Sequence, residues 1–339
     1  MKRIKIGQLG VCHEHAAAKM KTLRKMDDVF EIVGVVDDRA SRAVRFAGTD
    51  LKAYEGLPWL TEAELFRVPG LQAVVIETAN DDLVPAALRC LEQGLAMHMD
   101  KPGGYDLGLY DALLRGCATR GIPFQIGYMF RANPAFQFCL QAVRRRWLGD
   151  LFEVQAGMSH NYGGDRYADY IGRLPGGILF NLGCHLIDFI VALLGRPDGV
   201  TPFLKSTPGV PDGVLNNGLA ILEYPRATAT IRACSQEVDG LAHRRLKICG
   251  TKGTLELSPL ERFDGEPLRL RLTLSEGNAT YAAGAHDVDT GIRLDRYRDQ
   301  LLELAQMIAG ERARAFDHRH ELLVQEVLLA ASGCLPWKA

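Results

Sequence analysis

The stretch RIKIGQLGVCHEH, residues 3–15, joins a short apolar run to a turn that begins at Gly10. Isoleucine and leucine recur in the run, which is typical of a strand buried inside a parallel sheet. In α/β folds that bind dinucleotides, a tight turn after the first strand brings the pyrophosphate to the N-terminus of the next helix, where backbone N–H groups point outward. The stretch therefore predicts the first strand, turn and helix of such a domain.

The turn leaves two interpretations open. Gly10 fits the tight turn, but Cys12 and His15 stand where a GxGxxG pattern has its later glycines. The alternative is a metal site built from Cys12, His13 and His15. The two histidines lack the i, i+4 spacing that puts two ligands on one helix face, and a closed site would need ligands from elsewhere. We favour a cofactor phosphate beside Gly10, Cys12 and His13, and we expect no metal ion.

Short apolar runs alternate with helical patterns through residues 1–128, as a parallel sheet with crossover helices requires. We predict strands at Ile4–Leu9, Glu31–Asp37, Ala73–Glu77, Ala96–Met99 and Phe124–Tyr128. Helices are predicted at Glu14–Met26, Ser41–Ala47, Glu62–Phe66, Leu83–Gln93 and Leu107–Arg120. The fold class is α/β, with a Rossmann-type doubly wound parallel sheet over residues 1–128.

A second domain is predicted over residues 129–339, where the pattern changes. Helical patterns at residues 134–147 and 181–194 flank the irregular segment 160–177. Six β-rich runs follow, and their alternation of apolar and polar residues fits an antiparallel sheet with one covered face. Two further helices, Arg293–Ala309 and His320–Ser332, complete this α+β domain with a largely antiparallel open sheet.

Composition excludes several classes of function. The 339 residues carry a net charge of −1 without a block of like charge, so neither nucleic acid nor an anionic membrane is an expected partner. No apolar run approaches the 18 or so residues of a membrane span, and the first residues lack the long apolar core of a signal peptide. We expect a cytoplasmic protein whose eight dispersed cysteines are reduced.

Three further sequence clusters suggest chemistry. Asp37, followed by Asp38, ends the second predicted strand, where an acid holds the adenosine ribose of a dinucleotide. In AMHMDKPGG, residues 96–104, Lys101 follows a strand at the edge where open α/β sheets bind ligands. In PGGILFNLGCHLID, residues 175–188, helical spacing places Asn181 one turn before His185, a residue type suited to moving a hydroxyl proton.

Together these clusters resemble the Gfo/Idh/MocA family of NAD(P)-dependent sugar and polyol oxidoreductases. The likeness continues through ETAND (77–81), IGYMFRANPAF (126–136), WLGDLFEVQA (147–156), GTKGTLEL (250–257) and the closing helical segments. The resemblance implies that Lys101 contacts the reacting hydroxyl and the nicotinamide ribose, and that His185 is the general base for oxidation. It also implies further contacts to the cofactor and substrate, from Thr78, Asn80, Pro102, Tyr128 and Arg131.

The chain departs from the family pattern at several positions. Asn181 stands where many members carry Asp, and an amide can orient His185 but supplies no charge to its imidazolium form. Leu83 stands near the place of a histidine found in many members. Asp37 should repel a 2′-phosphate, which favours NAD over NADP, although Arg39 lies close by. The resemblance implies a homodimer or homotetramer formed through the second domain's sheet.

The segment 160–177 is dense in hydrogen-bonding and aromatic residues, which suits a polyhydroxylated ligand. We expect substrate contacts from His160, Asn161, Tyr162, Asn181 and His185, with Arg131 and Arg166 able to bind an acidic group. The leading hypothesis is an NAD-dependent oxidoreductase for a secondary hydroxyl of a sugar, polyol or sugar acid. The alternatives are an NAD-containing sugar lyase, glycosidase or epimerase that oxidises its substrate only transiently, and a cofactor-binding sensor without turnover.

Overall fold

A computed structural model describes residues 3–40, 50–161 and 164–338, without the side chains of Asp165 and Arg166. The chain divides into two compact units. Unit 1 comprises residues 1–128 with 296–325, and unit 2 comprises residues 129–295 with 326–339. The division after Tyr128 lies where the sequence pattern changes, whereas residues 296–325, assigned above to the second domain, fold with unit 1.

Unit 1 contains a six-stranded sheet in the order β3-β2-β1-β4-β5-β6, and every pairing is parallel. Its strands are β1 (Ile4–Leu9), β2 (Phe30–Val36), β3 (Trp59–Leu60), β4 (Ala73–Ile76), β5 (Ala96–Met99) and β6 (Phe124–Ile126). Strand order reverses between β1 and β4, and ligands of such sheets bind at the carboxyl ends beside that point. The predicted doubly wound α/β fold is confirmed.

Helices connect these strands as the crossover pattern requires. They are α1 (Ala16–Lys25), α2 (Glu62–Phe66), α3 (Leu83–Glu92) and α4 (Leu107–Arg120). The predicted helix at residues 41–47 lies outside the described residues. Helix α1 begins two residues later than predicted, because the residues after Gly10 form a turn in which the N–H of Ala16 donates to the carbonyl of His13.

The eight-stranded sheet of unit 2 has the order β14-β13-β12-β11-β7-β10-β9-β8, with β7 and β10 parallel and the other pairs antiparallel. Its strands are β7 (Leu151–Gly157), β8 (Gly199–Lys205), β9 (Asn217–Glu223), β10 (Thr228–Cys234), β11 (Arg245–Gly250), β12 (Gly253–Leu257), β13 (Arg269–Leu274) and β14 (Gly284–Asp289). Ala229 and Ile231 are buried on one face of β10, while Arg232 is exposed on the other. The predicted one-sided, largely antiparallel sheet is confirmed.

The remaining helices are α5 (Pro134–Arg144), α6 (Gly164–Gly172), α7 (Cys184–Leu194), α8 (Arg298–Ile308) and α9 (His318–Ala331). Helix α8 explains why residues 296–325 belong to unit 1. Its Leu301 and Leu304 pack in one buried cluster with Ile4 and Ile6 of β1 and Met20 of α1. Among the described residues, no helix is long and apolar enough to cross a bilayer.

Gly10→Ala tests how closely the first turn approaches the sheet. The backbone has φ +89°, and a Cβ atom would lie 2.7 Å from the Cα and N atoms of Thr78. Steric overlap and the left-handed backbone together should cost about 2–4 kcal/mol of unfolding free energy. Gly121→Ala is the matched control, since its φ is also positive but nothing lies within 4 Å of the added atom. Chemical denaturation of both variants checks the expectation, and equal losses would contradict it.

Candidate functional site

The candidate site in unit 1 lies at the carboxyl ends of its parallel strands. Gly10 follows β1, Asp37 follows β2, Thr78 follows β4 and Lys101 follows β5. The structure therefore brings the residues predicted to contact the cofactor to one edge of the sheet. The set at this edge comprises Gly10, Cys12, His13, Asp37, Asp38, Thr78, Asn80, Lys101 and Pro102.

At the two positions of the missing glycines, Cys12 is buried whereas His15 is partly exposed. Cys12 and His13 are 2% and 3% exposed, so both side chains are directed into the unit. His15 is the N-cap of α1 and makes no side-chain capping hydrogen bond. The first turn of α1 is therefore left without the side-chain cap that usually satisfies its N–H groups.

The two acids after β2 have different environments. Asp38 is buried and accepts a hydrogen bond from the backbone N–H of Val11 at 2.8 Å, which links the ends of β1 and β2. Asp37 is exposed, and the guanidinium of Arg39 contacts both of its carboxylate oxygens. The predicted ribose-binding acid thus has a cation beside it.

A buried ionic cluster, consisting of His13, His15, Lys19, Glu77 and Asp100, lies beneath the turn. The Nζ atom of Lys19 lies 2.5 Å from Glu77 Oε1 and 2.6 Å from Asp100 Oδ2. His13 Nδ1 lies 3.6 Å from Glu77 Oε2 and 3.5 Å from Asp100 Oδ2. The cluster joins α1 to the ends of β4 and β5.

Burial and neighbouring charges shift the pKa values of this cluster in opposite directions. Burial alone would lower the pKa of Lys19, but the carboxylates of Asp100 and Glu77 raise it. Burial lowers the pKa of His13 to about 3 and raises that of Glu77 well above its ordinary value. Burial also opposes ionisation of Asp100, yet its contacts with His13, Lys19 and His15 hold its pKa well below the usual range. At neutral pH, His13 is therefore an uncharged imidazole and Lys19 an ammonium.

Lys101 is held by this part of unit 1 at three points. Its backbone N–H donates to Asp100 Oδ1 at 2.7 Å, and its carbonyl lies 3.2 Å from His13 Nε2. Its buried Nζ donates to Glu14 Oε1 at 3.1 Å. Burial would raise the pKa of Glu14, but the charge of Lys101 lowers it to about 2. Glu14 is therefore a carboxylate that stabilises the ammonium form of Lys101.

Two of the residues predicted from the second domain, His160 and Asn181, contact a residue absent from the predicted site set, Tyr167 of α6. Its hydroxyl lies 3.0 Å from His160 Nε2 and accepts a hydrogen bond from Asn181 Nδ2 at 3.2 Å. Asn181 lies in a π-helical turn, Leu179–Gly183, immediately before α7. The spacing of a regular α-helix, assumed above between Asn181 and His185, therefore does not apply to this segment.

The other predicted residues of unit 2 have separate environments. His185 is buried in α7, and its ring lies edge-on to Phe130 with 5.8 Å between the centroids. Asn161 is exposed and forms an isolated bridge with Gln236. Tyr162 lies outside the described residues. Tyr128, at the end of unit 1, is buried, and its carbonyl accepts a hydrogen bond from Gln300.

Arg131 forms an ion pair with Asp188 rather than remaining available as an isolated cation. Its Nη2 lies 2.6 Å from Asp188 Oδ1 and its Nε 3.0 Å from Asp188 Oδ2, and both side chains are largely buried. Such a two-point contact compensates much of the guanidinium charge. The arrangement weakens the expectation that Arg131 binds an acidic group of the substrate.

Residues 136–256 match the model of the GFO/IDH/MocA C-terminal domain. This part of the chain is similar to the C-terminal domain of that family. The resemblance indicated by the sequence motifs is thereby confirmed. The match covers the region from α5 to β12, which includes His185 and the π-helical turn before it.

Two curated relatives and one solved structure are similar to the chain. The uncharacterized oxidoreductase YhhX of Escherichia coli is 29% identical over 42% of this chain and 41% of its own length. D-apiose dehydrogenase of Paraburkholderia graminis is 24% identical over 51% of this chain and 47% of its own length. The chain thus matches about half the length of these relatives.

The solved structure is an oxidoreductase from Agrobacterium radiobacter in complex with NAD+, L-tartaric acid and magnesium. It is 17% identical, covers 98% of this chain and 96% of its own, and superposes with a TM-score of 0.77. At this identity the likeness supports the fold of both units.

His98 should make unit 1 sensitive to acid. Burial lowers the pKa of His98 from 6.5 to about 3, and its Nδ1 lies 2.7 Å from Gln125 Oε1. The unfolded chain takes up this proton below pH 6.5 but the folded chain does not, so stability falls as the pH is lowered through this window. At pH 5 the loss from His98 should reach about 2 kcal/mol.

Chemical denaturation of wild type and His98→Gln at pH 7.5 and pH 5.0 measures this loss. The variant should lose less stability between the two pH values than the wild type does. His243→Gln is the control, because the His243 side chain is 58% exposed. An unchanged pH dependence in His98→Gln would contradict the assignment.

Proposed function

We propose that the protein is an NAD-dependent oxidoreductase that transfers a hydride between nicotinamide and a secondary hydroxyl or ketone of a sugar, polyol or sugar acid. The observation that carries the proposal is the Lys101 ammonium, fixed after β5 at the ligand-binding edge of a doubly wound sheet. In unit 2, His185 supplies the second proton-transfer group in a domain of the matching family.

The residues at the edge of unit 1 fit a dinucleotide. Gly10 lets the backbone pass against β4, and the N-terminus of α1 lacks a side-chain cap. Asp37 and Asp38 follow β2, where ribose hydroxyls are bound in this fold. A bound nicotinamide would supply the hydride acceptor, which is the part of the chemistry that side chains cannot provide.

The proposed roles follow from the charge of each group. Lys101, kept as an ammonium by Glu14, donates a hydrogen bond to the substrate oxygen and stabilises negative charge that develops on it. His185 accepts the hydroxyl proton during oxidation and returns it during reduction. Asn181 orients this region through the Tyr167 hydroxyl, which also contacts His160.

The polar groups of unit 2 support a carbohydrate-like substrate. His160, Tyr167 and Asn181 form a buried set of hydrogen-bonding groups, which a substrate rich in hydroxyls would match. The similarity to D-apiose dehydrogenase points to the same class. Because the Asp188 carboxylate compensates the positive charge of Arg131, a neutral sugar or polyol is favoured over a sugar acid.

A second candidate is a sugar lyase, glycosidase or epimerase that oxidises its substrate only transiently. The Tyr167–His160 pair favours it, because elimination or epimerisation needs an acid or base beyond the one used for hydride transfer. The two candidates differ in whether reduced cofactor accumulates. A carbohydrate panel followed by absorbance at 340 nm and by product analysis therefore separates them.

The expected homodimer or homotetramer is part of the same proposal. The side of the unit 2 sheet opposite its buried face carries the exposed aromatic residue Phe203, which a partner subunit would cover. Native mass spectrometry would report the subunit number and any retained nucleotide together.

Lys101→Met should remove nearly all turnover. Losing the ammonium removes both the contact to the reacting oxygen and its charge stabilisation, so kcat/KM should fall by about 10²–10⁴-fold. Lys21→Met is the control, since Lys21 forms an exposed ion pair with Asp50 in the same unit. Initial rates of NADH formation measure both variants, and wild-type turnover in Lys101→Met would refute the proposed role.

Asp37→Ser should increase the use of NADP+. The change removes a carboxylate that repels a 2′-phosphate and releases the Arg39 guanidinium that now contacts it. The ratio of kcat/KM for NADP+ to that for NAD+ should rise by about tenfold or more. Adding Arg39→Ala to Asp37→Ser should cancel most of this gain. An unchanged ratio in Asp37→Ser would show that Asp37 does not face the adenosine ribose.

A further inference from the structure

Three side chains of unit 1 place possible metal ligands close together. His13, His15 and Asp100 each offer a ring nitrogen or carboxylate oxygen, and these three atoms lie within 4.8 Å of one another. His13 and Asp100 are buried, while His15 is partly exposed. The sequence showed the two histidines but not the third group, because Asp100 is distant in the chain and approaches only through the pairing of β1, β4 and β5.

The distances suit a small, nitrogen-preferring ion. His13 Nδ1 lies 3.5 Å and His15 Nδ1 3.2 Å from Asp100 Oδ2. Four ligands at the bond lengths typical of Zn²⁺ are separated by about 3.3 Å in a tetrahedron. The two distances to Asp100 are close to this value, whereas the three ligand atoms as a set lie within 4.8 Å of one another, so the ligands would have to move closer together to bind one ion.

The surrounding contacts resemble those that orient metal ligands. The Nε2 atom of His13 lies 3.2 Å from the Lys101 carbonyl, and we assign its proton there, which leaves Nδ1 as the atom with the lone pair. That atom now accepts a long hydrogen bond of 3.3 Å from the His15 backbone, which an ion would replace. Asp100 is in turn held by the backbone N–H of Lys101.

Glu77 provides an independent observation. Its Oε2 is buried and makes no hydrogen bond, although it lies 3.6 Å from His13 Nδ1. An unpaired buried carboxylate oxygen is costly, and oxygens of this kind are common ligands. Glu77 Oε2 is therefore placed to provide a fourth ligand or to accept a hydrogen bond from water on the ion.

Lys19 is the main electrostatic argument against an ion, since its ammonium contacts both Glu77 and Asp100. The ammonium contacts Glu77 through Oε1 and leaves Oε2 unused. It donates to Asp100 Oδ2, the oxygen that also faces both histidine nitrogens, so an ion would share that oxygen with Lys19. Glu14 and Asp100 balance the ammonium groups of Lys19 and Lys101, and the raised pKa of Glu77 favours its uncharged form. The region therefore carries no excess negative charge before an ion binds.

We propose that His13, His15 and Asp100, with Glu77 beside them, bind one divalent transition-metal ion, for which Zn²⁺ has the most suitable ligand preference. The ion ties the turn after β1 to the end of β5, where the backbone of Lys101 contacts two of the ligand residues. The site shares His13 with the residues expected beside the cofactor phosphate, but none of its ligands is a residue assigned to proton transfer.

Zn²⁺ titration of the full chain, stripped with a chelator and studied without nucleotide, tests the site. Isothermal calorimetry should show one equivalent bound, and Co²⁺ should give the visible bands of a four-coordinate ion. His15→Ala should weaken Zn²⁺ binding by about 100-fold or more, since it removes one ligand at a partly exposed position. His318→Ala, which removes a histidine paired with Asp111 elsewhere in unit 1, should leave the affinity unchanged. Equal affinity in wild type and His15→Ala would overturn the proposal.

Lys19→Met gives a second measurement that does not depend on the folding of His15→Ala. Without the ammonium, Glu77 and Asp100 lack their buried cation, so Zn²⁺ should raise the thermal midpoint of this variant more than that of the wild type. Equal shifts in the two proteins would place the ion elsewhere and overturn the proposal. Because neither experiment measures turnover, a failed hydride-transfer assay would not affect its outcome.

Discussion

One ammonium group between two carboxylates holds the ligand-binding edge of the six-stranded sheet together. Lys19 extends from α1 to Glu77 after β4 and to Asp100 after β5, and all three side chains are buried. Any one of these charges would be costly to bury alone, so each depends on the others. Because Asp100 also accepts the backbone N–H of Lys101, the position of the proposed catalytic ammonium depends on this contact as well.

The sequence predicted the elements whose stability is local or whose burial is complete. Strands β1 and β5 have the predicted bounds, because short, mostly apolar segments between turns have few other placements in a parallel sheet. The sequence also predicted that Gly10, Asp37 and Lys101 share one edge of the sheet. Residues that follow parallel strands all lie at the carboxyl ends of those strands. These residues follow the strands of unit 1 as expected, and their roles stay predictions.

Features that depend on distant pairing were not predictable. The segment AAAKMK predicts that Lys19 is an ordinary helix residue. The neighbouring residues in the sequence do not indicate that its ammonium group lies between two carboxyl groups. The π-helical turn at 179–183 interrupts a segment whose sequence predicts one continuous helix. Asn181 therefore donates a hydrogen bond to Tyr167, whereas helical spacing predicted that it lies beside His185. Strand β14 was missed because its polar sequence GAHDVD lacks the apolar alternation of the other strands.

The position of α8 bears on the order in which the protein can fold during synthesis. Tyr297, Leu301 and Leu304 complete the apolar cluster around β1 and α1, yet the ribosome makes them after nearly all of unit 2. A nascent chain that ends near Tyr128 therefore has a sheet with an uncovered apolar surface, and unit 1 cannot reach its final packing until the closing helices emerge. Unit 2 also includes residues 326–339, so both units take residues from the end of the chain and neither is complete until those residues are made.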